Sequence, residues 1–596
     1  MARQARRTED LDRTNKMNKI DSVDSVHSVE KSSHRWTQIY TLITRYWPES
    51  VVVVIAFSLW APRLSGPLDL RWDASVYYVL GTSLATGQGY RILSEPGSPE
   101  ALQYPPLLPA IVAVWERALG STDPAVVGPW LRILYAVLFL GYALATLALA
   151  KRYLRPLFAV TAVAFTLLQP NTIFFSDQLY TEIPFALISI LFVLVAVDGP
   201  FSSAGCCSDR PVAGEGKEQD GPQGRGYRAW RPWLREFASF VLASAGFLLR
   251  TAGVALLAAW ALEALVHRRW GLALMRGLLA ILPIAAWEMH AVRVTHSYEY
   301  AHPAYAYQRA PYLMYNVGYA ENIGLVDPSH PGWRHLQLSG LIKNLRKNTR
   351  PLIESFGEAL STTPRVPTLV LSALAFVGLA MLVRRRAWMI LLIVLLSVAI
   401  IWPMPWRNQF YRYMVPLTPF LMIGVMVVFD DLCAALSALP VRPAIATSGR
   451  IVLAMPVAFV LLQQVSLVRE LFHIRAHGAS YIPGRGAVGP RFFYYSDFSR
   501  AWDVEIAWIQ RHSDPNAVVV THLPHLCYLR TGRRAVLPPV ERKQDRMREL
   551  LESVPASYVI LDPLDSMPAV EKDTQGWRNV ESVDRVRLYE RINAAE

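Results

Sequence analysis

Long apolar runs with almost no charged side chains constrain this chain more than any other feature of its sequence. Such runs cover residues 51–60, 129–150, 183–197 and 389–402. No water reaches the backbone inside a bilayer, so each run has to satisfy its own N–H and C=O groups, as a helix does. Hydrophobic residues make up 53% of the chain, which is too apolar for one soluble domain of this length. We therefore predict an all-α polytopic membrane domain.

The membrane domain is predicted to contain about 11 transmembrane helices. Their bounds, within a few residues, are 46–62, 127–149, 156–173, 181–198, 233–249, 252–267, 272–293, 366–383, 387–403, 414–433 and 450–468. A cytoplasmic N-terminus and an odd number of crossings place the C-terminus outside. The basic tracts Lys151–Arg155 and Arg384–Arg386 then lie inside, as the positive-inside rule requires.

The net charge of +13 would also suit a nucleic-acid-binding protein, but the distribution of the basic residues does not. They form short tracts at the ends of predicted helices, such as His267–Arg269, rather than one basic face. We therefore predict membrane lipids as partners and no nucleic acid.

The polar segments of the chain define its predicted domains. We predict a disordered cytoplasmic tail at 1–45, a transmembrane domain at 46–468 with outer loops 63–126 and 294–365 and a cytoplasmic linker at 199–232, and a small extracytoplasmic α/β domain at 469–596. In the last domain, residues 501–511 have apolar side chains at helical spacing, and Val518–Val520 is typical of a buried strand.

The first outer loop carries the most informative pattern. Asp73 comes shortly after the first span, and Tyr77 follows one helical turn later. Gly87 and Gly89 end this short helix, and the Tyr-Pro-Pro sequence at 104–106 forms a stiff extended turn before the next helix. The pattern places a carboxylate at the boundary between membrane and water.

This loop resembles the first outer loop of the GT-C glycosyltransferases, in particular the protein O-mannosyltransferases and the lipid A aminoarabinose transferases. Those enzymes share an Asp just outside the first span, a Gly-rich break and a Pro-Pro element. The resemblance covers roughly residues 46–430, and later segments agree with it: 176–182, 247–253 and 407–413, the last followed by Pro416 and Pro419. The chain departs from its relatives at Ala74, where they often have Glu, and at Tyr104, where the aminoarabinose enzymes have Lys.

The resemblance implies a GT-C-like fold and a membrane glycosyltransferase, either a hexosyl- or a pentosyltransferase and similar to the mannosyltransferases. Such an enzyme moves a sugar from a polyprenyl phosphate donor to a hydroxyl of a lipid, glycan or protein acceptor, with inversion. The expected location is the outer face of a bacterial inner membrane, in the assembly of the cell envelope. The bacterial assignment follows from the short outer domain and the use of cysteine.

Four residues are candidates for the chemistry itself. A carboxylate at the membrane boundary can accept the proton of the acceptor hydroxyl, and Asp73 is the candidate for this base. The planar guanidinium group binds phosphate oxygens in pairs, which makes Arg250, Arg407 and Arg412 candidates for holding the donor phosphate. The alternatives are a solvated acid or helix N-cap for Asp73, and arginines that extend to lipid headgroups.

Four further residues are candidates for positioning the acceptor or a metal ion. These are Asp177, Glu182, Tyr104 and Glu288. No cofactor follows with certainty from the sequence, but a divalent cation such as Mg²⁺ or Mn²⁺ on Asp73 and Glu182 would fit a phosphate donor. The alternative for Asp177 or Glu182 is a structural role, and that for Glu288 is packing in the core.

The main rival is a polytopic transporter or lipid flippase of the cell envelope. Transporters place ionisable groups near the bilayer midplane on broken helices, often in two repeated halves. Here the acidic residues lie at outer helix ends, and the sequence shows no internal repeat. A second rival is a scaffold without catalytic activity, which should tolerate the loss of the Asp73 carboxylate.

Overall fold

The computed structural model describes most of the chain, with gaps. The described ranges are 45–197, 224–309, 316–318, 321, 324–326, 335–361, 365–440, 443–477, 480–482, 486–488, 492–541, 543–562 and 567–592. The predicted tail at 1–45 lies outside them except for its last residue, and so does most of the predicted linker at 199–232. The end of that linker, from Gly224 onward, already belongs to a helix.

A helix lies at each predicted span. The helices up to residue 477 are α1 (45–60), α2 (Asp73–Ala85), α3 (Leu107–Leu119), α4 (Pro124–Ala150), α5 (Pro156–Leu168), α6 (Pro170–Asp177), α7 (Glu182–Ala196), α8 (Gly224–Leu249), α9 (Val254–Val266), α10 (Trp270–Thr295), α11 (Tyr298–Ala301), α12 (Leu338–Leu360), α13 (Arg365–Arg384), α14 (Trp388–Ile401), α15 (Phe410–Met414), α16 (Thr418–Ala438) and α17 (Pro443–His477). Within the described ranges, five helices are long and apolar enough to cross a membrane, or six if the bent pair α5–α6 is one span. The protein is therefore mostly helical, while the predicted number of crossings stays a prediction.

Proline residues break two of these spans on the side where the candidate residues lie. Pro170 has no N–H to continue the hydrogen-bond ladder of α5, and α6 leaves at 57° to it. The Gln169 side chain caps the new helix by accepting a hydrogen bond from the Thr172 N–H. Pro416 lies in the single 3₁₀ turn between α15 and α16. These breaks interrupt the helices next to Glu182 and Arg412.

Close contact between helices α13 and α16 depends on two glycines. A Cβ added at Gly378 would lie 2.2 Å from the backbone of Gly424. Small residues let helix backbones approach each other directly, which strengthens packing where surrounding lipid is as apolar as the helix surface.

The C-terminal part forms a small α/β unit around a five-stranded sheet. Its elements are β1 (Ser480–Ile482), β2 (Gly486–Val488), α18 (Asp497–His512), β3 (Val518–Val520), α19 (Pro524–Thr531), β4 (Arg534–Val536), α20 (Gln544–Glu552), β5 (Ala556–Leu561), α21 (Pro568–Glu571), β6 (Trp577–Val583) and β7 (Val586–Arg591). The sheet order is β4-β3-β5-β7-β6, with β3 parallel to β4 and β5, and β7 antiparallel to β5 and β6. Strands β1 and β2 form a separate antiparallel pair.

The C-terminal unit is bonded to the first outer loop. The Ala535 N–H of the edge strand β4 donates to the Ser94 carbonyl at 2.7 Å. The Ser94 hydroxyl lies 2.6 Å from Nδ1 of His525, and burial lowers the pKa of His525 to about 3, so this ring is neutral. The Arg71 guanidinium donates to the Phe493 carbonyl at 2.7 Å. The first loop and the C-terminal unit therefore lie on the same side of the helices.

Candidate active site

A strained residue sets the start of the helix that carries Asp73. Trp72 has φ 54° and ψ −131°, a backbone conformation that bulky residues rarely adopt and that costs about 1–3 kcal/mol. Its neighbour Arg71 stabilises the turn through a paired contact with Asp69, at 2.9 and 2.7 Å. Asp73 is the first residue of α2 rather than its N-cap. The side chain of Asp73 is therefore free of the helix end and engages other groups.

Asp73 belongs to a cluster of two carboxylates and two guanidinium groups. Oδ2 of Asp73 lies 2.7 Å from Nη1 of Arg412, and Nε of the same arginine donates to Oε1 of Glu182. Nη1 of Arg250 lies 2.9 Å from the same oxygen of Glu182. The Glu182 side chain is fully buried. Two positive and two negative charges balance, which offsets the cost of removing each of them from water.

Arg250 reaches this cluster from a tight turn between antiparallel helices. It lies between α8 and a 3₁₀ turn at Thr251–Gly253, in extended backbone conformation. A Cβ added at Gly253 would lie 2.4 Å from the backbone of Gly246, so only glycine fits the turn. The Arg250 guanidinium carbon lies 5.3 Å from the centre of the Tyr413 ring, a cation–π contact.

Arg412 is held between the carboxylates and two aromatic rings. It lies on the short helix α15, just before the Pro416 break. Its guanidinium carbon is 4.6 Å from the centre of the Tyr180 ring and 5.8 Å from that of Phe175. Because the aromatic faces attract a cation, they keep Arg412 charged and oriented.

Tyr104 and Tyr77 complete the polar surroundings of Asp73. The Tyr104 hydroxyl donates to Oδ1 of Asp73 at 3.1 Å, and the two tyrosine rings meet edge to face at 5.0 Å. Burial raises the pKa of Tyr77, and the Asp73 and Glu182 carboxylates raise it further. Both oxygens of Asp73 thus have a donor, and the neighbouring phenol of Tyr77 stays neutral.

These groups open into one cavity that has charged and apolar walls. Asp73, Arg250 and Arg412 line it. Other polar side chains on its wall are Tyr77, Gln103, Tyr104, Thr181, Thr251, Ser397, Gln409 and Tyr413. The apolar part of the wall comprises Pro105, Phe185, Ala252, Ile400, Ile401, Met404, Trp406, Pro416 and Leu417. The cavity therefore suits a ligand with an anionic group and an apolar chain.

Three residues predicted from the sequence lie elsewhere. Asp177 is buried in a different ion pair, with Arg132 at 3.4 Å. Glu288 is exposed on α10, whereas its neighbour Trp287, about 100° away around the helix axis, is buried. It packs neither in the core nor in the cavity. Arg407 is exposed and does not line the cavity, although its neighbour Trp406 does.

The carboxylates of this site do not form a ready metal site. Nowhere in the described ranges do three His, Cys, Asp or Glu side chains come together as metal ligands do. Asp73 and Glu182 both contact Arg412, whose guanidinium occupies the space between them. A cation bound to both would have to displace this arginine, so the two carboxylates do not fit a shared metal ion.

The sequence analysis missed the residues that hold the Asp73 turn. Asp69 accepts hydrogen bonds from Arg71 and, at 3.1 Å, from the side chain of Gln178. Asp69 and Gln178 also pair through their backbones in a short parallel bridge. The sequence did contain a signal. Asp69, Arg71 and Asp73 are negative, positive and negative at every second position of a loop that is otherwise rich in apolar residues.

Known proteins resemble this chain in fold only. No protein-family model matches the sequence, and no curated protein matches it significantly. Among solved structures, the oligosaccharyltransferase of Archaeoglobus fulgidus tethered with an acceptor peptide is 12% identical, with a TM-score of 0.48 over 88% of this chain and 70% of that one. ArnT from Cupriavidus metallidurans in the apo state is 15% identical, with a TM-score of 0.47 over 94% and 98%.

ArnT has also been solved bound to undecaprenyl phosphate, and this structure is 14% identical with a TM-score of 0.46. Both neighbours are GT-C glycosyltransferases, the group that the first outer loop resembles. Because all these TM-scores are below 0.5, the likeness is a loose one, and the function of this chain has to follow from its own site.

Proposed function

We propose that this chain is a membrane glycosyltransferase that moves a sugar from a polyprenyl phosphate donor to an acceptor hydroxyl. The reaction takes place on the side of the membrane that the charge pattern predicts to be the outer one. The observation that carries the proposal is the cavity in which arginines and a carboxylate share one wall with apolar side chains from membrane helices. A phosphate attached to a long hydrocarbon chain is likewise charged at one end and apolar along the rest of its length.

The apolar wall supports a lipid ligand. Ile400 and Ile401 come from the end of α14, an apolar helix, and Met404 and Leu417 extend their surface. Removing a polyprenyl chain from water onto such a surface is favourable by about 25 cal/mol per Å² of apolar area buried. The lipid part of the donor thus supplies affinity, while the polar groups determine its orientation.

The two arginines of the cavity are suited to hold the donor phosphate. Arg250 and Arg412 are each paired with Glu182, so their guanidinium groups are already oriented when the ligand arrives. A phosphate entering the cavity competes with Asp73 for the contact with Nη1 of Arg412. Binding of the donor therefore loosens the ion pair between Asp73 and Arg412 and frees an oxygen of Asp73 for the acceptor hydroxyl.

Asp73 then acts as the catalytic base. The acceptor oxygen attacks the anomeric carbon while the bond from that carbon to the phosphate oxygen breaks. The hydroxyl proton passes to Asp73, and the phosphate leaves with the bonding electron pair, stabilised by Arg250 and Arg412. Attack opposite to the leaving group inverts the anomeric configuration. Tyr104 holds the second oxygen of Asp73 in place through its hydrogen bond.

Glu182 is assigned a positioning role in this scheme. Its side chain is fully buried and contacts both arginines, so it orients the groups that bind phosphate without touching the donor. This differs from the sequence-based prediction, in which Glu182 contacted the acceptor or a metal ion.

The test is sugar release from radiolabelled polyprenyl phosphate sugars by the purified full-length protein in lipid nanodiscs. Asp73→Asn should lower turnover by a factor of ~10²–10⁴ while retaining donor binding, because it removes the base and keeps the shape. Asp545→Asn, at an exposed aspartate in the first turn of α20, is the matched control and should behave like the wild type.

Equal turnover in Asp73→Asn and the wild type would eliminate Asp73 as the base. If no donor is turned over and the same lipids move across the bilayer, the chain is instead a transporter or lipid flippase.

A further inference from the structure

A second buried cluster of charges lies apart from the candidate active site. It brings together Arg63, which follows the first span, Arg132 on α4, Asp177 at the end of α6, and Arg475 near the end of α17. All four are at most 5% exposed. Arg132 lies 3.4 Å from Oδ1 of Asp177, and Arg475 lies 3.7 Å from Oδ2. Nη1 of Arg63 donates to the hydroxyl of the adjacent Ser176 at 2.8 Å.

The cluster has more positive than negative charge. Among the described residues, Asp177 is the one acidic side chain that pairs with any of the three arginines. The next carboxylate, Asp69, is occupied by Arg71 through two parallel contacts. Three guanidinium groups against one carboxylate leave an excess of two positive charges among side chains that are at most 5% exposed.

Backbone carbonyls accept hydrogen bonds from only some of the N–H groups of these three arginines. Arg63 donates to the carbonyls of Leu59 and Ile173, Arg132 donates to those of Arg63 and Pro67, and Arg475 donates to that of Pro62. Nη2 of Arg63, Nε of Arg132, and Nη2 of Arg475 are buried and have no hydrogen-bond acceptor in the described part of the chain.

Such an arrangement is costly without a further ligand. Each buried ion loses several kcal/mol of hydration that only a well-placed partner recovers. Burial lowers the pKa of Arg63 to about 9; Asp177 opposes this shift, and Arg475 and Arg132 add to it. The aromatic rings of Trp60 and Phe139, at 4.2 and 5.5 Å from the Arg63 guanidinium carbon, provide only weak compensation.

We propose that Arg63, Arg132 and Arg475 together bind an oxyanion of the phosphate class, which lies between the end of α1, the first half of α4 and the end of α17. An oxyanion supplies the missing negative charge and the acceptors that the unsatisfied N–H groups require. Its source is either the headgroup of an anionic phospholipid or free phosphate. The three arginines come from segments that are far apart in sequence, namely the end of α1, α4 and α17. The bound oxyanion would therefore hold these segments together.

The experiment measures the thermal unfolding of the full-length protein and its bound phosphorus. The protein is placed in nanodiscs of phosphatidylcholine alone, of phosphatidylcholine with inorganic phosphate, and of phosphatidylcholine with phosphatidylglycerol. A ligand that binds only the folded state raises the unfolding temperature with its concentration. We expect a rise of several degrees in one of the last two conditions, with phosphate retained by the protein.

Variants assign the effect to this cluster rather than to the donor site. Arg475→Gln should lose most of the rise, whereas Arg412→Gln, in the candidate active site, should keep it. Arg350→Gln, at an exposed arginine paired with Glu354, is the matched control and should respond like the wild type.

A rise with inorganic phosphate identifies a free anion, and a rise only with phosphatidylglycerol identifies a lipid headgroup. Absence of both in the wild type, together with no retained phosphorus, would overturn the proposal even if Arg475→Gln fails to fold. A rise that persists in a folded Arg475→Gln protein and disappears in Arg412→Gln would also overturn it.

Discussion

The two buried charge clusters use the same residue types in opposite ways. Around Asp73 and Glu182, two carboxylates face two arginines, and three of the four side chains line a cavity. Around Asp177, one carboxylate faces three arginines and none of these residues lines the cavity. Balanced charges next to a cavity can exchange partners with an incoming ligand. An excess of one charge sign in a closed region instead requires a permanently bound counter-ion. Charge balance and access are therefore the two features that distinguish the proposed reaction site from the proposed anion site.

The largest expected effect is that of Glu182→Ala. It leaves two buried arginines without their shared carboxylate, which should lower the free energy of unfolding by about 3–5 kcal/mol. Turnover per folded molecule should fall as well, because neither arginine keeps its orientation toward the phosphate. Thermal unfolding and sugar release in nanodiscs measure the two effects. A stable, active Glu182→Ala protein would contradict the balanced-pair interpretation.

Asp177→Asn should separate stability from activity. The substitution removes the one carboxylate of the unbalanced cluster, so the unfolding temperature should drop by several degrees, and more so in the absence of anions. Turnover per folded molecule should fall far less than in Glu182→Ala. A loss of turnover in Asp177→Asn as large as in Asp73→Asn would show that the two clusters act as one site.

Glu95 is a buried carboxyl outside both clusters, and in the described ranges it is bonded only to neutral groups. It accepts hydrogen bonds from the side chains of Asn316 at 2.8 Å, Tyr305 at 3.1 Å and Gln308 at 3.4 Å. Burial raises its pKa from 4.5 to about 7, and these donors only partly oppose the shift. The folded state thus holds this proton more tightly than the unfolded state does.

The stability contributed by protonated Glu95 is therefore fully present below pH 4.5 and is lost as the pH rises through about 7. The segment around Glu95 should become more accessible to hydrogen exchange between pH 5 and pH 8. Glu95→Gln, which is neutral at every pH, should remove this dependence. An unchanged pH profile in Glu95→Gln would mean that another group controls the contact.

The smallest expected effect is that of Tyr104→Phe. It removes one hydrogen bond to Asp73 and keeps the ring contact with Tyr77, so the change should be about 0.5–1.5 kcal/mol, or roughly a 3- to 10-fold loss in kcat. KM for the donor should stay unchanged, because the phosphate contacts the arginines. A rise in KM without a change in kcat would place Tyr104 in donor binding instead.

Parts of the candidate site were predictable because they depend on local rules. Charged residues at the ends of apolar runs are expected near the membrane boundary, and this rule singled out Asp73, Arg250 and Arg412. The prediction could not say which of these side chains touch. Asp73 and Arg412 are separated by hundreds of residues, and their contact depends on how α2 and α15 are placed by the helices between them.

The orientation of each helix about its own axis was the main reason for the misplaced residues. Glu288 and Trp287 are neighbours in sequence, yet one is exposed and the other buried, since successive residues point about 100° apart. Asp177 and Glu182 both lie around the turn between α6 and α7, but they join different clusters.

The sequence by itself determined that this chain forms membrane helices and where along the chain they lie. The cause is the cost of an unpaired polar backbone or an unpaired ion in lipid, which acts on each segment separately. Only the tertiary structure decided that two arginines balance two carboxylates beside a cavity. It also decided that Arg132 and Arg475 pair with Asp177 while Arg63 bonds to the adjacent Ser176. Those arrangements depend on contacts between distant segments, because a buried charge is stable only where packing supplies its partner.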